Sequence, residues 1–588
     1  NVEGYGECPA QFAVEKAGIV NQMDRRVDSL TQEIYSAEFS KGKLFEKYGG
    51  QSVRVARDEV GLLMIEKYDS TVMHEFDQRP VICRCGNKVR VKILHDQWFL
   101  KYSDPAWKEQ VSDHLKDMAL VPPDVRAEFD RTIYWLKDWA CTRRVGLGTR
   151  FPWDTTQLIE PLSDSTIYMA YYTIAHKIRE IDSKLLTPEV FDYIFLGKKS
   201  EDLPEKKKLD AMRAEFLYWY PCNYRFSAKD LISNHLTFQI FHHVSIFPKD
   251  KLPAGMVVFG MGLLNGAKMS SSKGNVFLLE DAVAEFGADT VRMFLIGSAE
   301  PWQDFDWRNE LVISTKKQIE RFHATIEDMK DAGGEPHDID KWLVSRLQSH
   351  IERTTESLNN FQTRQALQEA YFGIETDLKW YRRRLPENSN GSRELHNLCS
   401  VWTRLLSPFI PFTTEHLWKE LAGEGLVSFA QWPVADPGLL NPRIELSEEL
   451  LSRTVEDIES IMELIQITPQ AITIALAPEW KHDIFRMIAK SLDRTTVIKE
   501  IMMDGSMKKR GKDATDAAKQ CTTLIHRLPP QIVAPLAQDP INEHAVFDDA
   551  KAFLEQVFGV PVHITDAEES GHIKALTALP FKPAIIIV

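Results

Sequence analysis

Cysteine is scarce in this sequence, with seven residues among 588, scattered along the chain and odd in number. Such usage excludes a small secreted domain held together by disulfides and predicts a reducing compartment. Cys83 and Cys85 lie close together, but their C-x-C spacing has no second Cys or His pair nearby. We therefore expect these two cysteines in a strand, and we expect no structural zinc there.

Long apolar runs are also missing, since none approaches the roughly 18 residues that a membrane helix needs. The opening residues "NVEGYGECPA" lack the basic start and the apolar centre of a secretory signal. Internal repeats and low-complexity tracts are absent as well. Together with the cysteine usage, these absences predict a cytoplasmic protein that has no membrane partner.

Positive charge is in deficit, because 71 Lys and Arg face 85 Asp and Glu, which gives a net charge of −14. This balance excludes a protein dedicated to non-specific DNA binding, although local basic clusters can still contact RNA. Two such clusters are present, "KWYRRRL" at 379–385 and "KKRGK" at 508–512. Composition alone favours a solvated face for each cluster, and RNA contact is the alternative.

Helical and strand patterns alternate between about 82 and 300, which predicts an α/β sheet. Val89, Val91 and Ile93 alternate with charged residues, as in a half-buried strand. The run "YIFLG" indicates a second, short strand. In "DLISNHLTFQIFHHVSIF", helical spacing would put three apolar residues on one face: Leu236, Ile240 and Val244.

Beyond about 312 the pattern becomes helical, after "DAGGEP", which has the composition of a linker. Leu343, Leu347 and Ile351 form one apolar stripe. The character becomes mixed again after about 446. There Ile472, Ile474 and Leu476 alternate in "AITIALA", and "PAIIIV" predicts a last strand. The whole pattern predicts a multidomain protein with an α/β part, a helical bundle and a small α+β part.

One polar loop, "GAKMSSSKGNV" at 266–276, follows the apolar run "MVVFGMGLL" and precedes an amphipathic segment. The loop therefore stands between an expected strand and an expected helix. Its lysines, its hydroxyls and its backbone N–H groups, which small side chains leave accessible, are groups that bind phosphate. The Walker spacing is missing. A polar surface turn is the alternative for the loop taken alone.

Several segments resemble class I aminoacyl-tRNA synthetases, in the same order along the chain. The loop resembles the KMSKS loop of that family. The leucine enzymes of archaeal and eukaryotic type have a "GKDL..NH" segment that resembles "SAKDLISNHLTFQIFHHVSIF". Further resemblances are "HDQWFLKY", "LSDSTIYMAYYTI", "FDYIFLG" and "GADTVRMFLI...DFDW". The helical anticodon-binding-type domain of the family is matched by "DKWLVSRL", "DLKWYRR" and "WTRLLSPFIPFTTEHLW".

No segment resembles the HIGH motif, which members of that family carry in the first half of a Rossmann-like domain. The stretch "GYGECPAQFAVEKAGI" resembles the end of their editing insertion. The resemblance therefore implies the C-terminal part of such an enzyme, with a partial Rossmann-like catalytic core. It implies four domains: a remnant of the insertion (1–81), the second catalytic half (82–311), a helical anticodon-binding-type domain (312–445) and a C-terminal tRNA-binding domain (446–588).

The resemblance also assigns roles to residues that match the motifs. Asp230 would accept hydrogen bonds from the ATP ribose, and Ser165, Tyr168 and His235 would line the leucine pocket, with His235 between leucine and adenosine. The loop residues would bind the triphosphate: Lys268, Ser270, Ser271, Ser272 and Lys273, with both lysines catalytic and Mg²⁺ accompanying ATP. Without the family, His235 would be a satisfied core residue, and Ser165 and Tyr168 would be ordinary helix packing.

Two departures from the family pattern stand in the same motifs. Ser271 replaces the second lysine of KMSKS, which Lys273 would partly replace, and Ala228 replaces the glycine before Lys229 and Asp230. A methyl group at 228 could crowd the nucleotide. For RNA, the resemblance implies phosphate contacts from the two basic clusters: Arg382, Arg383, Lys508, Lys509 and Arg510.

The resemblance implies ATP-dependent activation of leucine and its transfer to leucine tRNA. We expect the chain to be inactive alone and to need a segment or subunit that carries HIGH. One alternative is a synthetase for isoleucine, valine or methionine, against which "SDSTIYMAYY" and the C-terminal extension speak. Another is a non-catalytic tRNA-binding relative of a synthetase, which the absent HIGH half, Ala228 and Ser271 favour.

Overall fold

The computed structural model describes residues 2–588 except 22, 45–47, 75, 77–79, 84, 199–201, 270–273, 388, 467–468, 491–499 and 502. The chain divides into two units, residues 1–96 and 97–588. The described residues of the first unit carry the helices α1 (Pro9–Lys16), α2 (Val27–Lys41) and α3 (Val53–Lys67). Among the helices of the described residues, none has the length and apolar character to cross a membrane.

The strand expected at Val89, Val91 and Ile93 is wrong. These side chains are 40%, 44% and 65% exposed, and the described residues around them form only an isolated bridge, between Ile82 and Lys88. An alternating pattern makes a strand where a neighbouring strand completes its hydrogen bonds, and no strand of the described residues does so here.

The expected strand cysteines are also wrong. The N–H of Gly86 donates to the carbonyl of Cys83, which closes a turn, and Cys85 lies within that turn. Both thiols are exposed. The hydrogen bond within this turn therefore sets the backbone conformation at the two cysteines.

In the second unit, strands and helices alternate as far as Trp307. The strands are β1 (Phe99–Leu100), β2 (Ala119–Val121), β3 (Trp139–Ala140), β4 (Thr142–Arg143), β5 (Arg150–Phe151), β6 (Asp154–Ile159), β7 (Arg225–Ala228), β8 (Gly255–Phe259), β9 (Gly262–Leu264), β10 (Ala267–Lys268) and β11 (Phe305–Trp307). The helices are α4 (Pro105–Asp117), α5 (Arg126–Trp135), α6 (Pro161–Asp164), α7 (Tyr168–Tyr172), α8 (Ala175–Ile178), α9 (Pro188–Phe191), α10 (Lys206–Trp219), α11 (Thr237–Ile246), α12 (Leu279–Phe286) and α13 (Ala288–Ser298).

The central sheet of this region is parallel. β7, α11 and β8 form a βαβ unit, and β2 pairs with the other side of β8, so the strand order is β2–β8–β7. Met256, Val257 and Val258 on β8 are at most 2% exposed, as expected for a parallel strand covered on both faces. The predicted apolar face is confirmed, since Leu236 and Ile240 are fully buried and Val244 packs against the same core.

The short strand expected in "YIFLG" is wrong, because Pro188–Phe191 is α-helical and Asp192–Leu196 continues as a π-helical turn. Pro188 stands at the first turn of the helix, and Gly197 ends it with φ 69°, the left-handed conformation that glycine favours. A run of apolar residues this short fits a strand and a helix equally, and the flanking Pro and Gly decide.

Other strands of this region form smaller sheets. β9 pairs with β11 in parallel and with β10 in an antiparallel hairpin, so the strand pattern predicted before the polar loop is confirmed. α12 and α13 follow the loop, as the amphipathic segment predicted. β4, β6 and β5 form an antiparallel sheet, and β1 pairs with β3.

A helical region follows, with one apolar core. Its helices are α14 (Asn309–Met329), α15 (Asp338–Asn359), α16 (Thr363–Leu367), α17 (Ile374–Arg384), α18 (Arg393–Leu406) and α19 (Pro411–Glu420). The stripe predicted on α15 is confirmed, because Leu343, Leu347 and Ile351 are buried in that core.

The last region builds a second core around a three-stranded sheet. Its helices are α20 (Pro442–Ile465), α21 (Glu479–Lys490), α22 (Gly505–Arg510), α23 (Lys512–Arg527), α24 (Pro530–Gln538), α25 (Glu543–Asp549) and α26 (Lys551–Phe558). β12 (Ile472–Leu476) lies between β13 (Val562–Asp566) and β14 (Ala584–Ile587), which confirms both predicted strands. The domain boundaries drawn at 81, 311 and 445 stay predictions.

Candidate active site

The parallel sheet brings polar residues to the carboxyl ends of its strands. Ala228, the last residue of β7, pairs in register with Phe259, the last residue of β8. Asp230 follows within a single 3-10 turn, Lys229–Leu231, and its side chain is exposed. Ligands of open α/β sheets bind in the crevice outside these ends. Asp230 therefore stands where a nucleotide hydroxyl can reach its carboxylate.

Asp304 ties this edge to the strands that lead into the polar loop. Its carboxylate accepts from the ammonium group of Lys229 and from the N–H of Met261, both at 2.7 Å. The hydrogen bond from Lys229, and then that from Met261, lower the pKa of Asp304. The chain between β8 and β9 is thereby fastened beside Asp230.

Lys268 belongs to the same local assembly. It lies on β10 opposite Leu263, two residues beyond Met261, and its side chain is exposed. The side-chain amide of Asn275 donates to the Lys268 carbonyl at 3.0 Å, which joins the two ends of the polar loop. Ser270, Ser271, Ser272 and Lys273 lie outside the described residues, so their predicted phosphate roles stay predictions.

His235 sits at the centre of a second group, on the π-helical turn Ile232–Leu236 that precedes α11. Its Nε2 lies 2.8 Å from the hydroxyl of Ser165, and its Nδ1 lies 2.9 Å from Nη2 of Arg225. A π-helical turn inserts one extra residue into a helix and often marks a functional site. The turn here directs an imidazole, only 7% exposed, toward Ser165.

Arg225 fixes the protonation of His235. A guanidinium has donors and no acceptor, so Nδ1 of His235 must accept and the imidazole hydrogen must be on Nε2. That N–H then donates to Ser165, whose own hydroxyl hydrogen stays available for another acceptor. Burial, and then the positive charge of Arg225, lower the pKa of His235 to about 4. His235 is therefore neutral at physiological pH.

Tyr168 completes the group that the sequence predicted. Its ring centroid lies 6.3 Å from that of His235, and the guanidinium carbon of Arg225 lies 6.0 Å from the Tyr168 ring. Ser165 and Tyr168 are both half-buried at the end of α6 and the start of α7. The structure thus brings together three predicted residues, Ser165, Tyr168 and His235.

Sequence reasoning missed the polar residues behind this group. Arg225 also donates to Oε1 of Gln239 at 2.5 Å, and Nε2 of the fully buried Gln239 has no partner among the described residues. His242 bonds to Tyr102 at 3.0 Å and to Thr166. No sequence signal pointed to this network, because β7 has the mixed sequence Arg-Phe-Ser-Ala and its neighbours are set by the tertiary fold.

The two basic clusters differ in their surroundings. Arg382 and Arg383 on α17 are exposed but form ion pairs with Asp328 at 2.6 Å and Glu459 at 2.5 Å. Arg510 pairs with Glu568 at 2.7 Å. Lys508 and Lys509 are exposed in the last turn of α22. In these clusters the three arginines are already paired with carboxylates, so the two lysines are better placed to bind a phosphate.

Groups of three or more His, Cys, Asp or Glu side chains that could hold a metal do not occur within the described part of the chain. The Cys83 and Cys85 pair therefore has no third ligand there. The described residues at this edge carry the carboxylates of Asp230 and Asp304 and the ammonium groups of Lys229 and Lys268. Lys229 and Asp304 pair with each other, which leaves the side chains of Asp230 and Lys268 for hydroxyl and phosphate groups of a ligand.

Comparisons with known proteins identify related families. Residues 340–475 match the family model for the anticodon-binding domain of tRNA ligase, and residues 194–319 match the model for tRNA synthetases class I (M). The crystal structure of a ternary complex of Agrobacterium radiobacter K84 agnB2 LeuRS, tRNA and LeuAMS superposes with TM-score 0.38 at 16% identity, over 61% of this chain and 40% of that one.

Sequence relatives are much closer. The leucine–tRNA ligase of Methanopyrus kandleri is 46% identical, over 89% of this chain and 56% of that protein. That of Methanothermobacter thermautotrophicus is 42% identical over 100% of this chain, and that of Pyrococcus furiosus is also 42% identical over 100%. The match covers 63% and 62% of those two proteins, so the chain spans less than two thirds of the length of these relatives. The chain belongs to the leucine–tRNA ligase family of class I aminoacyl-tRNA synthetases.

Proposed function

We propose that this chain is the part of a leucine–tRNA ligase that holds ATP and leucine and binds leucine tRNA, in the cytoplasm. The observation that supports it best is the juxtaposition at the carboxyl edge of the parallel sheet. Exposed Asp230 follows β7 there, and His235, five residues further on, is bonded to Ser165 beside Tyr168. On this proposal, residues 82–311 are the second half of a Rossmann-like catalytic domain.

The chemistry follows from the groups at hand. Asp230, an acceptor when ionised, takes hydrogen bonds from the two ribose hydroxyls of ATP. Lys268 places an ammonium group at the triphosphate, with Lys273 as its predicted companion. A carboxylate oxygen of leucine forms a bond to the α-phosphorus while the bond to pyrophosphate breaks. Positioning and neutralisation of the charge that builds on pyrophosphate carry this step. Mg²⁺ bound to the phosphates of ATP would add to that neutralisation.

Ser165 and His235 act on the amino acid. Because Nε2–H of His235 donates to Ser165, the Ser165 hydroxyl is oriented to donate onward to an acceptor, such as a carboxylate oxygen of leucine. The ring of Tyr168 packs against the side chain of leucine. The terminal ribose hydroxyl of tRNA then attacks the carbonyl carbon of the adenylate, and AMP leaves.

The partner segment that carries HIGH has a place to pair. Within the described residues, β7 is hydrogen-bonded along one side, by β8, and Phe226 on β7 is 51% exposed. An open edge of a parallel sheet presents unpaired backbone groups that another strand can complete. We propose that the HIGH-bearing half pairs there, and that residues 312–445 and 446–588 contact the tRNA.

The test is leucine-dependent pyrophosphate exchange by this chain, alone and together with the N-terminal half of a related leucine–tRNA ligase. Exchange should appear only in the mixture and should be lost when Asp230→Asn is introduced. Restoring Ser271→Lys should raise the rate if the departure from KMSKS weakens the site. A mixture that associates and binds leucine tRNA but exchanges no pyrophosphate would instead support the non-catalytic relative.

A further inference from the structure

A cavity of about 540 Å³ lies in the C-terminal region, away from the sheet edge that carries Asp230. It opens between α21, α25 and the ends of β12 and β13, all within residues 443–569. The apolar residues of its wall are Leu476, Ala477, Pro478, Pro540 and Ile541, and the rest of the wall is polar. A cavity of this size can hold a small molecule or the end of a long side chain.

One polar group at this cavity is buried and incompletely bonded. Glu543, the first residue of α25, is 6% exposed. Its Oε1 accepts the N–H of Phe581 at 2.7 Å, whereas Oε2 has no hydrogen-bond partner among the described residues. The neutral imidazole of His482 is 4.0 Å from Oε1, too far for a hydrogen bond. Buried carboxyl oxygens are ordinarily bonded, so Oε2 calls for a donor.

The charges around the cavity favour a cation. The lining carries five carboxylates against two arginines. Three of those at the rim have partners: Glu479 pairs with Arg486 at 3.0 Å, Asp566 with His544 at 2.9 Å, and Glu568 with Arg510 at 2.7 Å. The carboxyl of Glu543 has no cationic partner within hydrogen-bond distance among the described residues.

We propose that this cavity binds a primary ammonium group on an aliphatic stem, with an ammonium N–H donating to Oε2 of Glu543. An ammonium has three donors and no acceptor, which matches a carboxylate that has already used one oxygen. The apolar wall fits methylene groups behind the charged head. A free polyamine and a lysine side chain of another protein share this chemistry.

Binding is then linked to protonation. Burial raises the pKa of Glu543 to about 7, so its carboxyl is largely neutral in mildly acidic buffer and ionised in mildly basic buffer. An ammonium binds the ionised form, so binding releases a proton and tightens as pH rises. The charged and titratable groups that face Glu543 are Glu479, His482 and Arg486 on α21, His544 on α25, Asp566, Glu568 and Glu569 near β13, and Arg443 on α20.

The test is calorimetric titration of the whole chain with spermidine and, separately, with the amide of Nα-acetyl-lysine, at about pH 6 and about pH 8. At least one probe should bind about tenfold more tightly at the higher pH, with proton release measured in buffers of different ionisation enthalpy. Binding of the lysine amide alone indicates a protein partner, and binding of spermidine alone indicates a free polyamine.

Glu543→Gln keeps an acceptor for Phe581 and removes the charge, so it should abolish binding. Asp548→Asn, on the exposed side of the same helix, is the matched control and should leave binding unchanged. Absence of binding by both probes at the higher pH overturns the proposal, and so does binding that Glu543→Gln leaves intact. If the variant unfolds, the proton count of the unmodified chain in the more acidic buffer decides. Glu543 is largely protonated there, so binding without proton release overturns the proposal.

Discussion

Two buried histidines in this protein have opposite electrostatic environments. His235, beside the parallel sheet, faces Arg225, and burial together with that charge lowers its pKa to about 4. His350 on α15 lies 3.1 Å from Glu369 and 2.9 Å from Asp377. Burial alone would lower the pKa of His350, but the hydrogen bonds to Asp377 and Glu369 raise it. A neighbour's charge, and not burial, sets the difference between them.

The two networks also differ in completeness. In the helical region, Asp377 accepts from His350 and from Nε of Arg346 at 2.8 Å, and Arg346 reaches Glu445 as well. The side chains of this network therefore bond to one another. At the sheet, the hydroxyl hydrogen of Ser165 and the amide nitrogen of Gln239 have no acceptor among the described residues. A closed network, whose members bond to one another, holds helices together. An open network, which has unpaired donors, can also bond to a ligand.

The largest effect should come from opening the closed network with Asp377→Asn. The change leaves the charges of Arg346 and His350 buried without their shared carboxylate, which should destabilise the fold by about 3–5 kcal/mol. Urea unfolding followed by circular dichroism measures the loss. Asp338→Asn is the control, because Asp338 and Lys341 form an exposed pair on the same helix and the change should alter stability little.

The same variant should change how stability depends on pH. The raised pKa of His350 means that its stabilisation is fully present below the ordinary histidine value of 6.5 and is lost as pH rises through the raised value. Asp377→Asn should therefore cost more stability in mildly acidic than in basic buffer. An equal loss at both would show that His350 is not charged in the fold.

Glu543 extends the comparison to a buried group that lacks a cation. Its unfolded pKa has the ordinary value of 4.5 and its folded pKa is about 7, so the folded state keeps the proton longer. Stability should therefore fall as pH rises from 4.5 to about 7, and Glu543→Gln should gain up to about 3 kcal/mol near pH 8 and nothing near pH 4. Thermal unfolding across that pH range measures the gain, with Asp548→Asn as the control.

Arg225→Gln tests the open network at the sheet. Losing the donor to Nδ1 removes the constraint on the His235 tautomer and should slow leucine-dependent pyrophosphate exchange in the reconstituted enzyme about tenfold. Since burial is the first cause of its low pKa, His235 should titrate above about 4 but still below 6.5 in the variant.

Deuterium exchange at the imidazole C–H, read by mass spectrometry, measures each histidine separately. His114 is the internal control, since burial lowers its pKa without any contribution from Arg225. A loss of activity with an unchanged titration of His235 would assign Arg225 a purely structural part.

The sequence was a good guide where one local signal decides the structure. The stripe of Leu343, Leu347 and Ile351 and the alternation around Ile474 predicted buried faces that the structure confirms. Val91 and the run "YIFLG" misled because a period of two and a short apolar run do not say whether a partner strand exists. Pro188 and Gly197 are typical of the start and the end of a helix, and they indicate the helix better than the apolar run indicates a strand.

For the candidate site, the resemblance named Ser165, Tyr168 and His235, and the fold brings them together. Composition and spacing could not have found Arg225 and Gln239 behind them. Their roles depend on β7 running beside the helical turn of His235, which is a tertiary arrangement. Nor could the sequence reveal that Arg382 and Arg383 are paired, because Asp328 and Glu459 lie far away along the chain.

The smallest effects should come from the basic clusters, where the comparison is between paired and exposed charge. Lys508→Ala and Lys509→Ala should each weaken binding of leucine tRNA a few-fold and lower the slope of log affinity against log salt by about one. Arg382→Ala and Arg383→Ala should do less, because Asp328 and Glu459 already neutralise those arginines. Filter binding at several salt concentrations measures all four variants. A steeper loss from the arginines would mean that the RNA displaces their carboxylate partners, and the paired helix face would then be the main phosphate contact.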